Sequence, residues 1–266
     1  MGYLVFLLLS HCLALTTLSY NEEKALAQKF APVLWQELGS DVPADWFTRV
    51  DFDGDWVAEN NWENLDRVLA PPAAVYYSVI ETKSRWYITY ALFFPRDYAD
   101  VCFWIHCHEN DFEGMRVTVE KPERLVSLEG LAHNRLSVLK NPTDNAFRIE
   151  AGGHGIHPLT MDEIRPLAQA EPHGTHRRYG PTSYELRSLL EIWHQADTPL
   201  FRSTFNYRGR QVPAAFAGDD WIVWGLGAAK PPWSWEIWGS DWQKGEWFMD
   251  PSRGAESYLH HPFLAD

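Results

Sequence analysis

The side chains with the clearest chemical potential lie in one short stretch, His108-Glu109-Asn110-Asp111-Phe112-Glu113-Gly114. Its pattern His-x-x-Asp-x-Glu supplies an imidazole and two carboxylates. Asp111 and Glu113 are two residues apart, so on an extended strand both side chains leave from the same face. Donors of this kind suit Mg²⁺, Ca²⁺ or Mn²⁺ better than a structural zinc, which prefers thiolate and imidazole. The alternative interpretation is a solvated acidic turn with a chance histidine.

A further candidate ligand precedes this stretch. The aromatic and apolar run from Trp86 to Phe94 is typical of a strand, and Pro95-Arg96-Asp97 follows it. Because the proline closes the strand, a turn must follow, and that turn can bring Asp97 back towards the histidine. The sequence therefore predicts a divalent-cation site with four ligands: Asp97, His108, Asp111 and Glu113.

The segment Tyr90-Ala-Leu-Phe-Phe-Pro-Arg-Asp97, followed by His108-Glu-Asn-Asp-Phe-Glu113, resembles the core of the necrosis- and ethylene-inducing peptide 1-like proteins. That family has an aromatic strand ending in Pro-Lys-Asp and then Gly-His-Arg-His-Asp-Trp-Glu. Asp97 takes the place of the first aspartate, while His108, Asp111 and Glu113 take those of the heptapeptide's first histidine, its aspartate and its glutamate. The resemblance implies that these four residues hold a divalent cation at the mouth of a β-sandwich.

The chain departs from that family's pattern within the motif. Glu109 and Asn110 stand where the family has Arg-His, Phe112 replaces tryptophan, and the gap between Asp97 and His108 is longer. A second family with a related sheet, the vacuolar-sorting-like proteins, carries His-Glu-Gly-Asp-Trp-Glu and a later Gly-Ser-His-Ala. The segment Gly152-Gly153-His154-Gly155 is similar to that second motif. The resemblance is therefore to the superfamily that contains both.

Composition places the chain among ordinary globular proteins. It has 266 residues, 45% hydrophobic and 22% charged, and no Pro/Gly/Ser-rich linker divides it. We therefore expect one domain over residues 21–266. The formal net charge is −13 without a prominent Lys/Arg cluster, which argues against nucleic acid as a partner and against simple electrostatic docking on anionic lipid.

The first 20 residues are typical of a secretory signal peptide. Tyr3 to Leu15 is an apolar run too short to span a membrane comfortably, and the polar residues Asn21-Glu22-Glu23 follow it. We therefore predict a secreted, extracellular protein. An uncleaved membrane anchor is the alternative.

Two cysteines, Cys102 and Cys107, lie immediately upstream of the metal motif. A disulfide between them would be natural in an oxidising compartment. An extended chain of this length spans roughly 16 Å, whereas a disulfide needs Cα atoms within about 7 Å, so pairing requires the segment to fold back. The alternative is two buried thiols.

The predicted elements indicate a mainly β protein with flanking helices, an antiparallel β-sandwich decorated by a few α-helices. A helix is expected from Asn21, as N-cap, to about Phe30, and capping boxes predict further helices after Thr160 and from Thr182 to about His194. The expected strands are Val33–Trp35, Ala74–Ile80, Trp86–Phe94, Phe112–Glu120, Arg124–Ser127 and Phe147–Ala151.

Two later clusters are candidates for the same site. His154 and His157 lie on a glycine-rich loop, which in the superfamily faces the metal; the alternative is a turn with exposed histidines. The segment from Trp221 to Trp247 holds seven tryptophans, of which about half are expected in the core and the rest at a glycan or membrane-interface rim. His260-His261-Pro262 is expected at the surface.

Three functions are compatible with these residues. The resemblance implies a secreted cytolysin-like effector whose cation receives the sugar head group of a membrane glycolipid. A metal-dependent hydrolase is the second, with a cation-activated water and either His154 or Glu109 as general base. The third is a non-catalytic glycan-binding module in which the cation only shapes the pocket.

Overall fold

A computed structural model describes residues 17–99, 107–169, 177–179, 183–218 and 229–264. The strands are β1 (Val33–Leu38), β2 (Ala74–Thr82), β3 (Arg85–Asp97), β4 (His108–Glu120), β5 (Arg124–Ala132), β6 (Arg135–Lys140), β7 (Ala146–Ile149), β8 (Ile156–Pro158), β9 (Arg177–Tyr179), β10 (Glu185–Ser188), β11 (Phe201–Tyr207), β12 (Arg210–Phe216) and β13 (Tyr258–His260). The α-helices are α1 (Tyr20–Lys29), α2 (Val42–Asp45), α3 (Asn61–Leu65), α4 (Met161–Gln169), α5 (Leu190–Trp193) and α6 (Glu246–Met249). Short 3₁₀ turns cover Ala58–Asn60 and Pro232–Ser234.

The strands form two main sheets. The larger has the order β10-β2-β3-β4-β5-β6, with β13 pairing with the end of β2. Its consecutive strands β2 to β6 are antiparallel, as strands joined in sequence by hairpin connections must be. The smaller sheet has the order β8-β7-β1-β9, and β11 and β12 form a separate hairpin. This mainly β architecture with few helices confirms the predicted fold class.

The larger sheet is buried on both faces, which explains why all nine residues of β2 are buried. Side chains alternate across a strand, so Val75 and Tyr77 face one side and Tyr76 the other. The first side packs against the smaller sheet, including Leu34 and Phe147. The other side is covered by aromatic residues from the C-terminal part of the chain: Phe216, Trp233, Trp235, Trp247, Phe248 and Phe263.

The first helix begins one residue earlier than its expected range and has a different cap. Ser19, not Asn21, is the N-cap of α1. The Ser19 hydroxyl accepts from the Glu22 backbone N–H, and the Glu22 carboxylate accepts from the Ser19 backbone N–H. This reciprocal capping box satisfies two N–H groups that the first turn leaves free, which a lone Asn21 cap would not do.

The helix predicted to run to about His194 is wrong over most of the described part of its range. Residues Glu185–Ser188 form β10, which pairs in parallel with β2, and only Leu190–Trp193 is helical. Strand pairing with the free edge of β2 outweighs local helix propensity, because it satisfies backbone groups at an otherwise open sheet edge. Thr182, the expected cap, lies outside the described residues.

His261 is buried, so its expected surface position is wrong. Its side chain packs against Tyr258 and Phe263, and its Nε2 donates to the Met249 carbonyl at 2.9 Å. Its Nδ1 has no hydrogen-bond partner among the described residues. Burial lowers the pKa of His261 to about 4, because a proton on Nδ1 would add a buried charge.

The shifted pKa predicts acid destabilisation. The unfolded His261 takes up a proton as the pH falls through about 6.5, while the folded form resists protonation until about pH 4. The contribution of neutral His261 to the free energy of unfolding is therefore fully present above pH 6.5. It decreases as the pH falls towards 4, by at most about 3 kcal/mol. Urea denaturation across this range should show a shallower pH dependence for His261→Gln. The control His194→Gln, at an exposed position, should retain the steeper slope; equal slopes for wild type and His261→Gln would contradict the prediction.

Candidate metal centre

The first two predicted ligands face each other across a strand pair. Asp97 is the last residue of β3 and His108 the first of β4, and the register of the pair places them directly opposite. Asp111 lies opposite Phe94 in the same pair, and Glu113 lies opposite Leu92. The antiparallel register thus brings side chains that are distant in sequence to one end of the hairpin.

A local reversal in β4 decides which side chains point into the site. Simple alternation would place His108 and Asp111 on opposite faces, because they are three residues apart. Asn110 between them has a left-handed backbone with φ of 61°, a conformation that asparagine tolerates better than most residues. This residue interrupts the alternation, so that Glu109 and Asn110 both contact the α3 side while His108 and Asp111 line the cavity.

Hydrogen bonds hold the reversed segment in place. The Asn110 amide donates to the carbonyls of Ala58 and Ala217 and accepts from Asn61 Nδ2 at 2.6 Å. The Glu109 carboxylate accepts from the backbone N–H of Trp62 at 2.7 Å. Glu109, a candidate general base from the sequence, is therefore buried on the α3 side and does not line the cavity.

Three of the four predicted ligands come together. One donor atom from each of Asp97, His108 and Asp111 lies within 4.8 Å of the other two, and His108 Nε2 is 3.4 Å from Asp97 Oδ2. Glu113 lines the same cavity but does not belong to this close group. Glu113 lies two residues after Asp111 on β4, and alternation along the strand places both side chains on the same face.

The clustered charges change the ionisation of the site. Burial opposes the charge on His108, but its hydrogen bond with Asp97 and the negative charges of Asp97 and Asp111 raise its pKa to about 9. Burial raises the pKa of Glu113 well above its usual range, and the neighbouring carboxylates Asp111 and Asp97 add to the effect. Negative charges this close together repel one another when no cation is bound, so the cluster favours a bound cation.

These residues fit a divalent cation. Ligand atoms on opposite sides of a cation with bonds of about 2.0–2.4 Å are separated by roughly 4–4.8 Å, which matches the spread of the three donor atoms. Two carboxylates and one imidazole suit a hard or borderline cation. His108 would have to lose its proton to bind through nitrogen, so cation binding would be linked to proton release.

His154 contacts the predicted ligand Asp111 from the buried side of the site. Its ring is fully buried and stacks on Phe94 with centroids 3.8 Å apart and an angle of 1° between the planes. Its Nδ1 lies 2.9 Å from Asp111 Oδ2, and its Nε2 lies 3.7 Å from Oδ1 of the buried Asp45. His154 thus contacts a predicted ligand directly, whereas the nearby His157 pairs with Glu150 at 2.9 Å.

The ligands open into a cavity of about 480 Å³. Trp235 forms part of its lining and lies directly on the strand: a Cβ added at Gly114 would be 2.3 Å from Trp235 Cη2. Glycine at this position therefore permits the indole to approach the β4 backbone. The remaining lining comes from both polar and apolar side chains: Phe112, Leu131, His133, Asn134, Ala229, Lys230, Glu236 and Trp238, with Gly153.

The tryptophans divide between core and cavity. Trp233, Trp235 and Trp247 are buried, and Trp235 also reaches the cavity. Trp238 lines the cavity with 63% of its surface exposed, and Trp242 is partly buried. Trp221 and Trp224 lie outside the described residues. An exposed indole at a cavity mouth is the type of side chain expected at a glycan or lipid-facing rim.

Several residues at the site carry no local sequence signal. Asp45 stands in a four-residue helix far from the motif, and Lys230 lies beside a proline pair. His133 belongs to the two-residue turn between β5 and β6, where both it and Asn134 have positive φ. The paired left-handed residues could have been recognised as a hairpin turn from the adjacent His-Asn pair, but their approach to the cavity depends on the sheet register.

Cys107 is disulfide-bonded, so it is not a free thiol. Cys102, its expected partner, lies outside the described residues, and the pairing of these two cysteines stays a prediction. None of the helices in the described part of the chain is long and apolar enough to cross a membrane.

The reversal at Asn110 gives a testable prediction. Asn110→Ala should destabilise the fold by about 2–4 kcal/mol, since alanine disfavours the left-handed backbone and leaves buried backbone groups without partners. Asn110→Gly should recover the backbone part of that loss, and both variants should bind cation more weakly than wild type. Urea denaturation and calorimetry measure the two effects. Asn141→Ala, at an exposed left-handed position, is the control and should leave cation binding unchanged.

Comparison with known proteins gives structural matches only. No family model matches the chain, and no curated protein matches its sequence. The chain is similar to the structure of NLPPya in complex with glucosamine, with 16% identity, a TM-score of 0.43, and coverage of 69% of this chain and 81% of that one. It is also similar to the non-toxic HaNLP3 protein, with 15% identity, a TM-score of 0.41, and coverage of 72% and 85%.

A third match is Necrosis and Ethylene inducing Protein 2 from the causal agent of cocoa's Witches Broom disease. Its identity is 16%, its TM-score 0.32, and the match covers 48% of this chain and 56% of that one. All three matches have an identity of 16% or less and a TM-score below 0.5. Likeness at this level does not extend to activity or ligands.

Proposed function

We propose that this protein is a secreted, divalent-cation-binding protein that recognises a glycan or glycolipid head group at a membrane surface. The observation that carries the proposal is the position of the cluster Asp97, His108 and Asp111. Its donor atoms lie within 4.8 Å of one another and border a cavity of about 480 Å³ that also presents two indoles. The cavity is large enough for a ligand of one or two sugar rings.

Each part of the cavity has a chemical role in this proposal. A cation held by the carboxylates presents open positions to ligand hydroxyl oxygens, since hard cations prefer oxygen. The indole of Trp238 offers an apolar face for a sugar ring, and its exposure leaves that face accessible. Lys230 Nζ lies 3.8 Å from Glu236 Oε2. Both side chains can give up this ion pair to form hydrogen bonds with polar groups of the ligand.

A bound cation also offsets the electrostatic repulsion between the negatively charged protein and an anionic membrane. With a net charge of −13, the chain is repelled by anionic lipid at low salt. Recognition of a head group through a bound cation places a positive charge at the point of contact. Binding would then depend on the head group and on the cation, and not on general electrostatic attraction.

Two observations favour binding over hydrolysis. His154, one candidate base, is fully buried and engaged with Asp111. Glu109, the other, points away from the cavity and accepts from the Trp62 backbone. A general base must reach the proton that it removes, directly or through one water molecule, and neither side chain is placed to do so.

Vesicle co-sedimentation tests the proposed function. Wild-type protein with Mg²⁺ or Ca²⁺ should sediment with vesicles that carry a glycosylated sphingolipid and remain in solution with plain phosphatidylcholine vesicles. Chelator should abolish the difference, and so should Asp111→Asn. Trp238→Ala should weaken binding by about tenfold or more, as expected for the loss of an aromatic side chain at a binding interface.

The matched controls are chosen outside the cavity. Asp55→Asn removes a carboxylate from an exposed turn, and Leu69→Ala removes a large apolar side chain that is also fully exposed. Both should behave as wild type. Equal sedimentation with both vesicle types, or binding that chelator leaves unchanged, would contradict the proposal. Turnover of a small ester or phosphate substrate without vesicle binding would favour the hydrolase instead.

A further inference from the structure

His154 occupies one of the two carboxylate oxygens of Asp111. Its Nδ1 lies 2.9 Å from Asp111 Oδ2, and since the carboxylate can only accept, Nδ1 is the donor. This hydrogen bond takes one acceptor site of Oδ2, whereas Oδ1 keeps all of its lone pairs for a cation. A cation held through Oδ1 alone leaves the hydrogen bond undisturbed, whereas a bidentate cation would compete with the His154 N–H for the electron density of Oδ2.

The imidazole has little freedom to release that oxygen. It is fully buried, and its ring stacks face to face on Phe94 at 3.8 Å. The backbone of His154 is left-handed, with φ of 51°, so the loop that carries it is narrowly constrained. Rotation of the ring would require Phe94, a core residue of β3, to move with it.

Asp45 anchors the loop from the opposite side. Its Oδ1 accepts from the Gly152 backbone N–H at 2.7 Å, and its Oδ2 accepts from the Tyr98 hydroxyl at 2.8 Å. The buried Asp45 carboxylate thereby joins α2, the end of β3 and the glycine loop. His154 Nε2 faces this carboxylate at 3.7 Å and makes no hydrogen bond within the described part of the chain.

We infer that His154 determines which cation the site selects, by restricting Asp111 to one oxygen. This inference rests on the proposed cation-binding function. Ca²⁺ takes six to eight oxygen ligands and commonly uses a bidentate carboxylate, whereas Mg²⁺ takes six ligands in a compact octahedron and retains water molecules. A site with a monodentate Asp111 and an imidazole therefore favours a small six-coordinate cation, Mg²⁺ or Mn²⁺, over Ca²⁺.

Isothermal titration with Mg²⁺, Mn²⁺ and Ca²⁺ tests this role. His154→Phe preserves an aromatic ring against Phe94 and removes the Nδ1 donor, which frees the second Asp111 oxygen. We expect Mg²⁺ and Mn²⁺ to bind about 10–100-fold more weakly, as is usual when a ligand loses its hydrogen-bonded support. Ca²⁺ should lose much less affinity, so the ratio of the Ca²⁺ to the Mg²⁺ dissociation constant should fall by about tenfold or more.

A second variant distinguishes loss of the Nδ1 donor from misfolding of the loop. Phenylalanine is unfavourable at positive φ, whereas His154→Gly accepts that backbone and also lacks the donor. Both variants should shift the ratio in the same direction. The control is His157→Gln, which changes a histidine on β8 that contacts Glu150 and not Asp111. Its ratio should equal that of wild type.

The outcomes separate this inference from the proposed function. Wild-type protein that binds none of the three cations overturns both. Wild-type binding, with equal weakening of all three cations in His154→Phe and His154→Gly, overturns only the selective role of His154 and leaves a structural support. Unchanged affinities in both variants overturn it as well. A shift in the ratio in both variants, but not in His157→Gln, supports the inference.

Discussion

Chelation should lower the stability of this protein markedly. A cation that binds only the folded state stabilises it by RT ln(1 + [L]/Kd), about 4.1 kcal/mol at a thousandfold excess over Kd. The physical cause is the cluster of negative charge from Asp97 and Asp111, which a cation neutralises. For a domain of this size the melting temperature should fall by roughly 10 °C. Differential scanning fluorimetry with EDTA, and then with added Mg²⁺ or Ca²⁺, measures the loss and its recovery.

Single substitutions make this prediction specific to the site. Asp111→Asn should melt at the same temperature with and without cation, because a neutral amide is a much weaker ligand than a carboxylate. Asp55→Asn, at an exposed turn, should retain the full response to cation. An unchanged wild-type melting curve across chelator and added cation would show that the cluster is only an acidic strand end.

Arg116→Met should strongly destabilise the packing between the larger sheet and the C-terminal aromatic residues. The Arg116 side chain is 2% exposed, forms a salt bridge with Glu129 and donates to the Trp247 carbonyl. Its guanidinium also lies 4.6 Å from the centre of the Trp247 ring. Removing one partner of a buried ion pair leaves the other charge uncompensated, so we expect a loss of about 3–5 kcal/mol in urea denaturation.

The same substitution should weaken ligand binding at a distance. Trp247 Nε1 donates to Glu129 at 2.8 Å, and the Trp247 ring lies 5.7 Å from that of Trp235, which lines the cavity. Loss of Arg116 therefore loosens the support of one cavity wall. Vesicle binding should fall in Arg116→Met even at temperatures where circular dichroism reports a folded protein.

An exposed ion pair provides the control for Arg116. Arg124 pairs with Glu120 on β4 with more than half of its side chain exposed. Solvent-exposed pairs contribute little, so Arg124→Met should cost about 0–1 kcal/mol and leave vesicle binding unchanged. Arg116→Met combined with Glu129→Met should be more stable than Arg116→Met alone, because no buried charge is left without its partner. Equal losses for Arg116→Met and Arg124→Met would contradict the prediction.

The sequence was most informative where a local pattern coincides with sheet geometry. Aromatic and β-branched runs predicted the β2–β3 hairpin, and Asp111 and Glu113, expected on one face of an extended strand, both line the cavity. The prediction that Pro95 closes the strand was wrong: β3 continues to Asp97, and the register with β4, not a turn, places Asp97 opposite His108. The hairpin and the common face of Asp111 and Glu113 depend on periodicity, which neighbouring residues specify.

The rest depended on contacts between distant parts of the chain. Alternation alone would place His108 and Asp111 on opposite faces of β4. The left-handed backbone of Asn110 places both at the cavity, and the Asn110 side chain is held by the carbonyls of Ala58 and Ala217. The strand at Glu185–Ser188 forms because β2 offers a free edge, against its local helix signals. The aromatic rings that pack against His261 come from nearby Tyr258 and Phe263, but its hydrogen-bond acceptor is the carbonyl of Met249, which is 12 residues away in the chain.

In the proposed function, a cation and a glycan head group bind together in one cavity. The most direct test is a pair of titrations in which Mg²⁺ affinity is measured with and without a soluble head-group glycan, and glycan affinity with and without Mg²⁺. If the cation bridges protein and glycan, each must raise the affinity for the other by the same factor, as thermodynamic linkage requires. We predict equal factors of about tenfold or more, lost together in Asp111→Asn. Glycan affinity that is the same with and without Mg²⁺ would contradict the claim.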